Sequence, residues 1–275
     1  MLRKWICLQL FVFFGFQSLV IADSKTEGVL EKLREDCKQL LIETYKHENS
    51  FVRAAVLRAA GESHDPDLIN LLKKGIEDYY PTARLFALQA LKEVSKTVAL
   101  EAARKLTDDH DIWVRSAAVE MLGDRGGVEA IEEIRGYLKS YDVPMKLAAS
   151  AGLVKLGESS YLKGVLDPLT HPIPNRRYQA IGYLGKIGKK EVLPHLVKLF
   201  DHPEPEMVFY SLKALEGKAT PDMLPRLREL SKHHNSSIRY ATAMAMGNIS
   251  GAVKDLIPLC ADVDGMTKLS AAVAL

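Results

Sequence analysis

The stretch "DIWVRSAAVEMLGDRGG", Asp111 to Gly127, decides the fold, because similar stretches recur every 31 residues along the chain. Steps of 31 through Arg115 reach six cations and one valine, namely Arg53, Arg84, Arg115, Lys146, Arg177, Val208 and Arg239. Three residues later each copy has a small residue: Val56, Ala87, Ala118, Ala149, Ala180, Ser211 and Thr242. Seven residues later each copy has an apolar residue: Ala60, Leu91, Leu122, Leu153, Leu184, Leu215 and Met246. An eighth copy starts two residues early, at Lys268, with Ala271 and Leu275 in register.

Each copy also contains an earlier helix with its own apolar positions. These positions lie three residues apart, which places both on one helical face, as in Ile69 and Leu72 or Ile131 and Ile134. Turn signals such as "HDPD" and "DDHD" separate the helices. Two short helices cannot bury a core alone, so each pair must pack against the next. The sequence therefore predicts an all-α fold, an α-solenoid of about eight helix–turn–helix repeats of 31 residues.

The pattern "DHDIWVRSAAVEMLG", residues 109–123, resembles the HEAT-like repeats of the phycobilisome-lyase type, and the resemblance extends over residues 47–275. In such repeats the turn residue six positions before the arginine is usually an aspartate. It bonds to its own turn or to the arginine of a neighbouring repeat, so that a ladder forms. The resemblance implies a structural ladder through Asp78, Arg84, Asp109, Arg115, Arg177 and Arg239. It says little about function, since this repeat class serves scaffolds, adaptors and some enzymes.

The N-terminus has a different composition. Arg3 and Lys4 precede the apolar run of residues 5–22, which ends in small residues at Ala22. This order is typical of a secretory signal peptide, so we expect residues 1–22 to be cleaved and residues 23–275 to form the repeat domain of a periplasmic or secreted protein. The alternative is a membrane anchor formed by residues 5–22, which are just long enough to span a bilayer.

Charge argues against one class of partner. The chain has 37 Lys and Arg against 35 Asp and Glu, and loss of Arg3 and Lys4 leaves 35 of each. A neutral mature protein lacks the basic surface that non-specific nucleic-acid binding requires, so we expect no nucleic-acid partner.

Histidines in the turns suggest one alternative function. His171, His202 and His233 follow one another at the turn position, again 31 residues apart. Imidazole is a ligand for zinc and other transition metals, so a metal-dependent site is an alternative to a structural role in the turns. The structural role is favoured, because a structural zinc site also needs a fourth close ligand.

No catalytic or cofactor motif occurs in the sequence, which leaves a binding surface. The second helices are expected to line the concave face, with the residues one and five positions after the arginine pointing outward. Tyr178, Phe209 and Tyr240 are consecutive aromatic residues at the first of these positions, and Lys213 and Met244 occupy the second. Aromatic residues are typical binding anchors, so we expect a protein or peptide partner on this face. A further alternative is that the repeats are one arm of a larger enzyme, since the chain stops inside a second helix without the polar capping repeat that solenoid ends need.

Overall fold

The computed structural model describes residues 24–275, which contain sixteen α-helices and no β-strand. Residues 1–22, for which the sequence predicts a signal peptide or an anchor, lie outside the described part. Within that part, no helix combines the length and the apolar character needed to cross a membrane.

The helices alternate between two kinds, which form eight successive hairpins. The first helices of the hairpins are α1 (Ser24–Thr44), α3 (Ile69–Gly75), α5 (Lys96–Leu106), α7 (Ile131–Tyr137), α9 (Leu162–Leu166), α11 (Leu193–Val197), α13 (Leu224–Leu230) and α15 (Val253–Leu256). The second helices are α2 (Ser50–Glu62), α4 (Pro81–Val94), α6 (Ile112–Arg125), α8 (Val143–Lys155), α10 (Pro174–Ile187), α12 (Pro205–Ala214), α14 (Ser236–Met246) and α16 (Gly265–Ala274).

The second helices begin where the sequence supplies a start signal. The side chains of Asn49, Asp111, Asn235 and Asp264 accept backbone N–H groups in the first turns of α2, α6, α14 and α16. Proline starts α4, α10 and α12, where its missing N–H costs nothing.

Most first helices are shorter than the simple helix that the apolar spacing predicts. 3₁₀ turns flank them at Pro66–Leu68, Val128–Ala130, Ser159–Tyr161, Asp167–Thr170, Lys198–Asp201, Pro221–Met223 and Ile257–Ala261. Prolines at 66, 168, 221 and 258 lie within these turns, and a proline in a helix interior removes a backbone hydrogen bond. Four of the seven 3₁₀ turns therefore contain a proline, which favours a break in the α-helix at those points.

The core follows the columns of the repeat. Every residue of the small and apolar columns between Val56 and Met246 is at most 4% exposed, and Ala271 of the eighth copy is fully buried. The second of the two apolar positions in each first helix, taken in steps of 31 residues from Leu72 to Leu227, is also fully buried. Leu275 is the exception, since it is 55% exposed at the end of the chain. The α-solenoid predicted from the 31-residue period is confirmed.

The described residues fall into two compact units, one ending at Ala149 and the other running from Ser150 to Leu275. In the first unit α2 packs against α4 and α4 against α6, and in the second α10, α12, α14 and α16 pack in the same serial manner. Glycine permits the close approach: a Cβ placed on Gly185 would lie 2.8 Å from the Cβ of Ala214 on the next second helix. The same glycine-on-alanine contact joins Gly61 to Ala90 and Gly247 to Ala274.

Candidate partner-binding surface

At the start of five of the eight second helices, an arginine joins its own turn to the next repeat. The Nε and Nη2 atoms of Arg84 donate to both carboxylate oxygens of Asp109 at 2.7 and 2.6 Å. Its Nη1 atom donates to the carbonyl oxygens of Asp78 and Tyr79 at 2.8 and 3.0 Å. One guanidinium therefore satisfies two turn carbonyls and holds the neighbouring hairpin through a bidentate ion pair.

The other four arginines also bind the carbonyls of their own turn and a carboxylate of the next repeat, but the acidic partner varies and Arg177 uses only its Nη2 atom on it. Arg53 pairs with Asp78, Arg84 with Asp109, Arg115 with Asp142, Arg177 with Glu204, and Arg239 with Asp262. We call these five pairs the arginine ladder. It contains all six residues for which the sequence suggests a ladder. Lys146, by contrast, is exposed, and Val208 is buried in the apolar core.

Three acidic partners were missed in the sequence. Asp142 and Glu204 stand two positions after the turn residues Ser140 and His202, neither of which has a carboxylate. Asp262 lies six positions before Lys268, in the copy that starts two residues early. A search for an acidic residue at the turn or two positions later would have found all three.

Two ladder carboxylates are strongly held in the ionised form. Burial opposes ionisation of Asp78, but hydrogen bonds from Arg53, the Tyr80 amide and the Tyr45 hydroxyl outweigh it and lower its pKa. The bonds from Arg239 lower the pKa of Asp262 to about 2. Both ion pairs therefore persist at neutral pH.

The turn residue of every hairpin closes its turn in one way: its side chain accepts the backbone N–H two residues later. The acceptors are His47, Asp78, Asp109, Ser140, His171, His202, His233 and Asp262, at distances of 2.8 to 3.2 Å. For each histidine the acceptor is Nδ1, which must be unprotonated. The histidines therefore replace aspartate as caps of the turn.

The structure does not assemble the three turn histidines into a metal site. Each of His171, His202 and His233 uses Nδ1 for its own backbone, and Nε2 of His171 lies 2.7 Å from Nη1 of Arg176. Within residues 24–275, no group of three His, Cys, Asp or Glu side chains is arranged to hold a metal ion.

Aromatic rings cluster on the second helices of the second unit. The ring of Tyr178 on α10 stacks on that of Tyr210 on α12, with centroids 4.5 Å apart and planes at 29°. Phe209 meets Tyr210 edge to face at 5.3 Å, and the Nζ atom of Lys213 lies 5.8 Å from the centroid of the Phe209 ring. We call Tyr178, Phe209, Tyr210 and Lys213 the aromatic cluster. Tyr178 and Phe209 are half-buried, Tyr210 is 39% exposed and Lys213 is exposed, so the cluster is open to a partner.

This cluster differs from the column that the sequence predicts. Tyr240 and Met244 are half-buried on α14, and no ring contact joins Tyr240 to the cluster in the described part of the chain. Tyr210 was missed because only the positions one and five after the arginine were considered, whereas Tyr210 stands two after Val208.

The expectation that both columns point outward is wrong for several members. Ala54, Ser116, Leu147 and Ala151 are at most 6% exposed. A second helix such as α4 packs against its neighbours on both flanks, so its solvent-exposed strip is narrower than the face opposite the core.

Carboxylates border the cluster at the first turn of α12. Burial raises the pKa of the Tyr178 hydroxyl, and the charges of Glu206 and Glu204 act in the same direction. Arg177 binds Glu204 at 2.6 Å, whereas Glu206 is exposed. The Tyr178 hydroxyl therefore stays protonated at neutral pH.

Comparison with known families gives two matches to HEAT-type repeats. Residues 69–151 match the family of HEAT repeats, and residues 176–202 match the PBS lyase HEAT-like repeat. Residues 69–151 and 176–202 are therefore similar to HEAT-type repeats. The second match starts at Arg176 and includes most of α10 with its Tyr178, so the aromatic cluster lies partly on a HEAT-like unit.

Comparison with solved structures shows a similar fold. The CpcE–CpcF complex of phycocyanin lyase from Nostoc sp. PCC7120 superposes with a TM-score of 0.52 and 21% identity, over 86% of this chain and 93% of the other. Human deoxyhypusine hydroxylase in complex with glycerol gives a TM-score of 0.45 and 16% identity, over 90% and 97% of the two chains. A search of the curated proteins finds no match.

The repeats separate structural from exposed side chains. The polar groups at the start of the second helices form the hydrogen bonds of the ladder and of the turn caps. The apolar face of each second helix carries the core columns and is buried. The aromatic cluster lies on the exposed strip of α10 and α12 and belongs to neither set.

Proposed function

We propose that this chain is an exported HEAT-repeat scaffold that binds a protein or peptide partner along the exposed strips of α10, α12 and α14. The observation that carries the proposal is the aromatic cluster, in which Tyr210 is 39% exposed while its ring contacts both Tyr178 and Phe209. Rings that are fixed by their neighbours and still open to solvent provide contact area at a low entropic cost on binding.

The rigidity of the scaffold supports this function. The Arg177–Glu204 pair and the Gly185–Ala214 contact hold α10 against α12, so that the two halves of the cluster keep their spacing. A preorganised surface loses less conformational entropy when a partner binds than a flexible loop does.

The test compares two exposed tyrosines. The partner is first isolated by affinity capture on the wild-type chain and identified by mass spectrometry, and its dissociation constant is measured with each variant. Tyr210→Ser should weaken binding at least tenfold, because anchor residues at an interface contribute about 2 kcal/mol or more. Tyr79→Ser is the matched control, since Tyr79 is 94% exposed and lies in the first unit. If both variants bound the partner as tightly as the wild type, the aromatic cluster would not be part of the binding surface.

Export is the second part of the proposal and rests on residues 1–22. Cleavage after Ala22 would leave Asp23 as the first residue of the mature protein. Mass spectrometry of the protein from its native source tests this. An N-terminus at or near Asp23 in the exported fraction supports a signal peptide. Retention of residues 1–22 in a membrane fraction supports the anchor instead.

A further inference from the structure

Four successive hairpin turns of the first unit present exposed aromatic side chains. The exposed fractions are 69% for Phe51, 94% for Tyr79, 47% for Trp113 and 100% for Tyr141. We call these four residues the aromatic row. The ring of Phe51 meets that of Tyr80 edge to face at 5.7 Å, so Phe51 lies beside the turn of Tyr79. Exposed apolar surface of this kind indicates an interaction site. The turn positions of the second unit that are equivalent to the two tyrosines are occupied by Pro172, Pro203, His234 and Val263.

The arginine ladder holds the turns of the aromatic row side by side. The Nη1 atom of Arg84 donates to the carbonyl oxygen of Tyr79 at 3.0 Å, and its Nε atom donates to the carboxylate of Asp109 at 2.7 Å. Arg115 joins that turn to the next, because it donates to the carbonyl oxygen of Asp109 at 2.6 Å and to the carboxylate of Asp142 at 2.8 Å. Asp142 directly follows the last tyrosine of the row. The ion pairs therefore fix the spacing of these turns.

The aromatic row offers hydrogen-bond donors as well as rings. The hydroxyls of Tyr79 and Tyr141 and the indole N–H of Trp113 form no hydrogen bond with any residue that the structure describes. The carboxylates of Asp109 and Asp142 in the same turns are already paired with arginines. A ligand that fits the row therefore presents apolar groups together with hydrogen-bond acceptors that have no partner of their own.

The spacing of the turns selects the conformation of such a ligand. Packed neighbouring helices lie about 8–10 Å apart, and the turns of the row lead into α2, α4 and α6, which pack in series. A polyproline II helix repeats every three residues, or about every 9 Å, and leaves its backbone carbonyls unpaired. A β-strand presents the same face about every 6.5–7 Å, and an α-helix pairs its interior carbonyls within itself. The polyproline II helix matches both the spacing and the free donors.

We propose that the aromatic row binds a proline-rich peptide segment in the polyproline II conformation, with proline at every third residue. The prolines pack on the rings, and the donors of Tyr79, Trp113 and Tyr141 bind the backbone carbonyls of the peptide. This binding goes beyond the proposed function, since the aromatic row lies in the first unit and shares no residue with the aromatic cluster. A ligand that is already extended loses little conformational entropy on binding.

The test is fluorescence anisotropy of a labelled 12-residue peptide of four Pro-Pro-Ala units, titrated with the full chain. Wild type should bind this peptide and not a flexible peptide of four Gly-Ser-Ala units. Tyr141→Ser should weaken binding at least about fivefold, because it removes an exposed anchor ring. Tyr141→Phe keeps the ring and loses only the donor, so it should weaken binding less than Tyr141→Ser does. Since the Tyr141 side chain is fully exposed, the urea midpoints of both variants should equal that of the wild type.

Val263→Ser is the matched control. Val263 is 93% exposed and occupies the same turn position in the eighth hairpin, so its replacement should leave the affinity for the peptide within about twofold. Tyr210→Ser should also leave it unchanged, which keeps this test separate from that of the proposed function. Equal binding of the two peptides, or full binding by Tyr141→Ser, would overturn the inference. A wild type that binds neither peptide, or that binds phosphatidylcholine vesicles instead, would overturn it too.

Discussion

The Nη2 atom of Arg177 donates to Oε2 of Glu204 at 2.6 Å, but its Nε atom is buried and has no acceptor among the described residues. Arg84 and Arg239 instead use both nitrogens on one carboxylate. The difference arises at the turn residue of the next repeat, which is His202 for Arg177 and an aspartate for the other two. The ladder is therefore incomplete at this step.

His202→Asp should complete the ladder and stabilise the chain by about 1 kcal/mol, the usual net value of a hydrogen bond. Aspartate already closes the turn at Asp78 and Asp109, so the cap is kept. His233→Asp is the matched control, because the preceding repeat has Val208 in place of an arginine and offers no new partner. The midpoints of urea unfolding report the difference, and an equal change in both variants would argue against the ladder as its cause.

Gly185→Ala should destabilise the chain by about 1–3 kcal/mol, because its Cβ would lie 2.8 Å from the Cβ and 2.9 Å from the carbonyl oxygen of Ala214. Gly182→Ala on the same helix should stabilise it by about 0.5–1 kcal/mol, since its Cβ meets nothing. Circular dichroism during urea unfolding measures both variants. A stabilising Gly185→Ala would contradict the close approach of α10 and α12.

Arg84→Ala should cost about 3 kcal/mol or more, because it leaves the carboxylate of Asp109, 7% exposed, without its cation. Arg84→Lys should recover only part of this, since an ammonium cannot form the bidentate pair. Arg228→Ala removes a pair of similar distance to Asp255 in which Arg228 is 51% exposed, so it should cost little. If Arg84 and Arg228 proved equally dispensable by thermal or urea unfolding, the ladder would not be a source of stability.

Acid should weaken the turn that His233 closes. Burial lowers the pKa of His233, with the neighbouring His234 and Arg239 acting in the same direction. The unfolded chain, with a histidine pKa of about 6.5, then takes up the proton first. The contribution of His233 is complete above that pH and is lost as the pH falls through the lower folded pKa.

His233→Asn provides the comparison for this pH dependence, because an asparagine oxygen can accept the same backbone N–H without titrating. The free energy of unfolding, measured from pH 7 to pH 5, should fall more steeply for the wild type than for the variant. Parallel pH profiles would show that His233 does not contribute.

The fold could be predicted from the sequence because equivalent positions of successive repeats are buried. The columns at Ala118 and Leu122 are buried in the seven copies up to Met246, since within each unit a hairpin packs on the next through the same positions. The lengths of the first helices could not be predicted from apolar spacing, because prolines such as Pro168 replace α-helix by 3₁₀ turns.

The candidate surface was harder to predict, because exposure depends on what lies beside a helix. Ser116 and Leu147 occupy the same repeat position as Tyr178 but are buried by neighbouring elements. Tyr210 joins Tyr178 only because two helices pack at a particular offset, which repeat counting does not reveal. Similarly, His202 has no carboxylate, and Glu204, two residues later, binds Arg177 in its place because its side chain is long enough to reach it.

The most direct test of the account is hydrogen–deuterium exchange of the full chain with and without its captured partner. Binding should slow exchange in the segments that cover α10 and α12, from Tyr178 to Lys186 and from Phe209 to Lys213. Exchange around Tyr79 and Tyr141, the exposed turns of the first unit, should be unchanged. Protection confined to those turns, with none on α10 or α12, would contradict the assignment of the binding surface.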